Sequence, residues 1–172
     1  MATTLADLTP HPVDCLLETI RAGLDAYLRE LGIDGLYDLS AGPRPGWIPR
    51  PNCARVDIVD GVEAAPRDHE DSGSVHPGLW ARWLRIHFEV TVRERRFWRR
   101  ATRPIEAWLS IHPFLGQSVT NTRFLGVDPD REVVEAKGSE GHKGKLSILA
   151  LWFSDYRPLE IFDPAEEIEV TS

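Results

Sequence analysis

From Trp83 to Arg93 the chain alternates apolar and polar residues without a break, then passes straight into a helical repeat. Leu84, Ile86, Phe88, Val90 and Val92 fall on one side of the alternation, and Arg85, His87, Glu89, Thr91 and Arg93 on the other. A period of two with one apolar side describes a strand with one face in a core and the other wet. Directly afterwards Phe97, Trp98, Ala101, Ile105, Trp108 and Leu109 gather within roughly 120° of helical arc, leaving Arg99, Arg100, Arg103 and Glu106 outside it. A second amphipathic helix therefore follows the strand. Its weak point is Pro104, which predicts a kink or a start only near Thr102, because proline inside a helix removes a hydrogen bond and costs about 3 kcal/mol.

The first helix is predicted over Val13 to Leu31. Val13, Leu16, Leu17, Ile20, Leu24, Tyr27, Leu28 and Leu31 share one face, and Asp14, Glu18, Arg21, Asp25 and Arg29 lie off it. Pro12 suits the first turn, Asp14 and Glu18 the positive end, and Gly32 a left-handed terminating position. Four prolines between Gly35 and Pro51 predict a surface connection. Cys53 to Val62 alternates as a half-buried strand, and the polar run Glu63 to Pro77 reads as a long hairpin loop. Val119 to Val127 reads as a strand, Asp128-Pro129-Asp130 as a turn and Glu132 to Ala136 as the return. Gly138 to Gly144 is expected to be a flexible loop. Lys145 to Tyr156, apolar at both parities, is expected to be a central or interface strand.

Helices and strands that do not alternate regularly favour an α+β fold: a mixed, mainly antiparallel sheet with two amphipathic helices packed on one face. At 172 residues the chain suits a single domain, with its core over about residues 13–157 and an acidic C-terminal tail over 158–172, partly loose or partner-bound. Cys15 and Cys53 allow neither a disulfide framework nor a four-cysteine zinc site. No apolar run approaches the roughly 20 residues that span a bilayer. The opening MATTLADLTPHP has neither the basic start nor the apolar run of a signal peptide, so neither membrane binding nor export by that route is expected.

The net charge of −7 argues against a general nucleic-acid binder, but it is unevenly spread. Between Arg82 and Arg103 eight arginines face two glutamates, whereas Asp155 to Ser172 carries −5. Arg93, Arg95, Arg96, Arg99 and Arg100, interleaved with Phe97 and Trp98, admit three readings. They could be a solvated helix face with local ion pairs, contacts to phosphates, or one half of a self-complementary contact between copies.

Catalytic signals are weak. Gly138 to Lys145 lacks the spacing of a phosphate-binding loop, since Ser139 stands at the first glycine position and Leu146 follows Lys145. There is no Gly-x-Ser-x-Gly elbow. Asp68, His69, Glu70, Asp71 and His76 are metal-capable, but a polar loop between Pro66 and Pro77 reads first as a solvated, partner-facing tip. His87 and His112 read as packing or hydrogen-bonding residues. No cofactor and no metal is expected.

The element order resembles the tail-terminator (tail completion) proteins of long-tailed bacteriophages. The resemblance is carried by VDCLLETIRAGLDAYLRELGI, the proline-rich link, CARVDIVDGV, LRIHFEVTVRERRF running into WRRATRPIEAWLSI, and the closing GKLSILALWFSDYR, over about residues 13–157. It implies a non-enzymatic virion protein, assembled in the host cytoplasm, that forms a homo-oligomeric ring, usually a hexamer, at the head-proximal end of the tail tube. The ring would stop tube polymerisation, with the tail tube protein and a neck or head completion protein as partners. DNA would slide through an acidic lumen without specific binding. Physically, a closed ring needs two complementary patches on one chain. The expected interface residues are Arg95, Arg96, Trp98, Arg99 and Arg100, facing Glu160, Asp163, Glu166 and Glu167 of a neighbour. Another head–tail connector, or a small metal-dependent enzyme using the Asp68 to His76 loop, are the alternatives.

Overall fold

A computed structural model describes residues 11–39, 48–61, 73–76, 79–115, 121–136 and 139–155. The elements are α1 (Pro12–Glu30), β1 (Tyr37–Asp38), β2 (Ala54–Asp60), β3 (Gly73–His76), β4 (Leu79–Val92), α2 (Trp98–Ile111), β5 (Asn121–Ala136) and β6 (Ser139–Asp155). Among the described residues the strands form one six-stranded sheet in the order β1-β2-β4-β6-β5, with β3 also paired to β4. The β1–β2 pair is parallel and the other pairs are antiparallel, so the fold is α+β with a mixed, mostly antiparallel sheet.

The ends of α1 follow from local chemistry. His11 Nδ1 accepts a hydrogen bond from the Val13 amide at 3.2 Å, and Pro12 opens the helix. At the other end Ile33 N–H donates to Leu28 C=O and Gly32 N–H to Arg29 C=O, with Gly32 at φ +67°. That is a Schellman termination, and it requires the left-handed backbone that glycine adopts without strain.

α2 runs from Trp98 to Ile111 through Pro104, which corrects the expectation of a start near Thr102. The donor that Pro104 lacks would have met the carbonyl of Arg100, an exposed residue that water can reach, and the apolar face of the helix holds the chain in place. That face sits on the sheet through two tryptophans. Trp98 donates its indole N–H to Val90 C=O at 3.0 Å. Trp108 meets the Phe88 ring edge-on at 6.4 Å and lies under Gly23 of α1, where an added Cβ would stand 3.2 Å from its ring. Glycine at position 23 thus lets the two helices approach closely.

Register puts Ala54, Val56 and Ile58 of β2, Leu84 to Val92 of β4 at even numbers, and Leu146, Ile148 and Ala150 of β6 on one face. With the exception of the partly buried Ile58, these residues join Leu16, Ile20, Leu24 and Leu28 of α1 and Trp98, Ile105 and Trp108 of α2 in a single buried cluster. The other face is polar and carries its own order. Asp57 and Glu89 are direct cross-strand neighbours, a destabilising pairing if left alone. Each has a cation: Arg55 Nη2 donates to Asp57 at 2.8 Å, and Lys143 Nζ lies 2.6 Å from Glu89. Lys145 stands opposite both Glu89 and Asp128 in register. His87 Nδ1 and Ser147 Oγ are hydrogen-bonded at 2.7 Å.

Several expectations are corrected. Asp128-Pro129-Asp130 is not a turn: β5 continues through it as one 16-residue strand, its register against β6 slipping between Asp128 and Glu132 and again between Phe124 and Gly126. Bulges let one strand hold more residues than its partner without ending the ladder. The expected loop Gly138 to Gly144 is, from Ser139 on, the start of β6, which pairs with β4 and β5 and is the predicted central strand. Gly73–His76, within the expected polar loop, is strand β3, paired to a β4 that begins at Leu79. The proline-rich link contains β1 and returns over the sheet, where a Cβ on Gly141 would lie 3.4 Å from Ile48.

Candidate interaction surface

The basic surface begins where β4 ends. Arg95–Phe97 forms a single 3-10 turn that continues into α2, so Arg95, Arg96, Arg99, Arg100 and Arg103 emerge close together and all are exposed. Arg96 pairs with Glu94 at 2.7 Å. The Phe97 ring is flanked by two guanidinium groups, Arg96 at 4.8 Å and Arg100 at 5.7 Å from its centroid. Such cation–π contacts hold long side chains in place without neutralising them. Arg99, Arg100 and Arg103 make no ion pair among the described residues. The expected interface residues left out Arg103 and Phe97. Phe97 was visible as the aromatic residue between Arg96 and Trp98, but periodicity assigned it to the core face, whereas it is half-buried.

Trp98, 2% exposed and hydrogen-bonded to Val90, anchors α2 to the sheet. Between α2 and β5 runs a groove of about 540 Å³ lined by Trp98, Arg99, Thr102, Arg103, Glu106 and Val127. Its apolar side is Val127, 40% exposed, with Trp98 behind it; its charge comes from the two arginines against one glutamate.

A smaller cavity of about 190 Å³ lies at the other edge of the sheet, where Tyr37, Cys53, Val92 and Ala101 are among the residues around it. Tyr37 Oη donates to Ala101 C=O at 3.0 Å, and burial pushes its phenol up to about 12. A neutral phenol held to a backbone carbonyl is a structural tie.

The remaining predicted site residues separate cleanly. Asp68, His69, Glu70 and Asp71, and Glu160, Asp163, Glu166 and Glu167, lie outside the described residues; His76 is placed by the backbone of β3. Among the described residues no three His, Cys, Asp or Glu side chains gather as metal ligands, and no helix is long and apolar enough to cross a membrane. Residues 139–145 lie in strand β6, paired to β5 from Ser139 and to β4 from His142, so they form no phosphate cradle opening a helix. His87 is buried against Ser147, and His112 packs its ring on Tyr27 and Trp108 at the end of α2. No protein-family model matches the chain and no curated protein matches it in sequence, so the reading of this surface rests on its own geometry and charge.

Proposed function

We propose that this chain is a non-enzymatic structural protein that assembles with copies of itself into a ring and caps the head-proximal end of a bacteriophage tail tube, joining it to the neck or head. The observation that carries the assembly half of the reading is the arginine cluster of α2. Three arginines without ion pairs among the described residues stand together on a molecule whose net charge is −7. A face of that kind is complementary to the rest of its own surface, and a heterologous contact repeated around a closed axis makes a ring. The tail-tube half rests on the resemblance of element order described above. Both helices on one face of the sheet is the packing that the single buried cluster supports, and it leaves the basic edge of α2 directed outward. The acidic excess suits a lumen through which DNA passes without sticking.

The test is the solution mass by light scattering at low and high salt, followed by incubation with purified tail tubes. Expected is a closed oligomer of the 19.4 kDa chain that dissociates at high salt, because exposed charge pairs are screened there, and that blocks further tube growth. A chain that stays monomeric at every salt concentration and leaves tube growth unchanged refutes the proposal.

A further inference from the structure

We infer that the groove between α2 and β5 is the seat of the acidic C-terminal segment, residues 158–172, of a second copy of this chain. The inference deepens the ring reading above and rests on it. Chemistry matches on both sides. The groove offers the exposed guanidinium groups of Arg99 and Arg103 beside the apolar surface of Val127. After Arg157 the chain contains Glu160, Asp163, Glu166, Glu167 and Glu169 with no lysine or arginine, and among them Leu159, Ile161, Phe162, Ile168 and Val170. A segment of that composition brings carboxylates for the arginines and apolar side chains for the wall.

Chain reach limits which part of the segment its own groove can take. Val127 of the groove stands opposite Leu146 on β6, and the described chain ends at Asp155 on the same strand. At the rise of a β-strand those nine residues cover about 30 Å, so the segment leaves the sheet about that far from the groove. A fully extended chain gains at most about 3.6 Å per residue, which puts Glu160 within about 18 Å of Asp155 and Asp163 within about 29 Å. Glu160 falls short of its own groove and Asp163 reaches it only on a straight, taut path, whereas Glu166 and Glu167, up to about 40 and 43 Å from Asp155, do reach it. Seating the whole segment from Glu160 onward therefore requires the groove of another copy. An exchange in which each copy gives its segment and receives another also supplies the two different patches that a heterologous ring contact requires.

The experiment uses two full-length variants. One carries Arg99→Glu and Arg103→Glu; the other carries Glu160→Lys, Asp163→Lys, Glu166→Lys and Glu167→Lys. Circular dichroism checks that both are folded, which is expected because Arg99 and Arg103 are exposed. Light scattering at low salt should find each variant monomeric at a concentration at which the unmodified chain is assembled. An equimolar mixture should recover assembly, because each reversed patch then meets an opposite one. An arginine variant that assembles like the unmodified chain overturns the inference, and if it also caps tail tubes the ring reading stands without this seam. Variants that stay monomeric when mixed overturn it as well. An unmodified chain that is monomeric at low salt overturns it too, and tube capping by that chain then decides the ring reading separately.

Discussion

Replacing Gly144 by alanine should cost about 3 kcal/mol of folding stability, although it adds a single methyl group. Gly144 lies in β6 opposite Val90, under the indole of Trp98. A Cβ built there stands 2.6 Å from both Trp98 Cε2 and Cζ2 and 2.8 Å from the backbone oxygen of Asp128. Neither neighbour can move freely. Trp98 is 2% exposed and tied to Val90 C=O at 3.0 Å, while Asp128 belongs to the backbone of β5. Overpacking of this kind costs about 1–3 kcal/mol. If the indole yields, the bond to Val90 is lost as well, at about 1 kcal/mol. For a chain of this size the sum corresponds to a fall in Tm of roughly 6–12 °C. Urea unfolding followed by circular dichroism would measure it. Gly35→Ala serves as the control, because nothing lies within 4 Å of a Cβ at that position, and it should change stability by less than about 0.5 kcal/mol. In a Trp98→Phe background, which removes the ring atoms in the way, Gly144→Ala should cost at least 1 kcal/mol less than in the unmodified chain; the clash with Asp128 persists, so rescue is partial. A loss below about 1 kcal/mol in the unmodified chain would refute the packing argument.

Two further perturbations test other parts of the structure. Asp57→Ala takes a counter-charge from Arg55, which is 3% exposed, and should destabilise the fold by about 2–3 kcal/mol in urea unfolding. Glu18→Ala, which removes the exposed pair with Arg21, should change it by less than about 0.5 kcal/mol, and equal losses in the two would contradict the burial argument. Tyr37 should remain protonated until about pH 12, whereas in the unfolded chain it ionises near pH 10. Between those values the unfolded state binds fewer protons than the folded one, so this residue's contribution to stability is complete below pH 10 and is lost as the pH rises toward 12. Ultraviolet titration of the unmodified chain against Tyr37→Phe isolates it, and an ordinary phenol titration near pH 10 would contradict the burial.

The parts of this protein legible in sequence are those whose physics is local. α1 needs only its apolar stripe, Pro12 and Gly32, because a helix satisfies its hydrogen bonds within a few residues and its ends are set by their neighbours. The core face of β4 needs only the alternation, because a period of two assigns faces before any partner strand is chosen. The arginine cluster, too, is visible as a string of residue types.

Pairing between distant segments is different in kind, and the tertiary structure decided it. Asp128-Pro129-Asp130 has the composition of a turn, yet pairing with β6 holds at Asp128 and resumes at Glu132, so the segment is an irregularity within one strand. Gly138 to Gly144 has the composition of a loop, yet from Ser139 on it pairs with β5, and from His142 on with β4 as well. Trp98 and Arg99 are adjacent in the same basic stretch, and only the position of Val90 beneath one and open solvent beside the other makes the first a core anchor and the second a candidate docking residue. Arg55, on the polar side of its strand, is almost fully buried, opposite the buried Thr91 and hydrogen-bonded to Asp57. Composition and period report what a residue prefers; which preference is met depends on contacts between segments far apart in the chain, and those exist only once the sheet has closed around them.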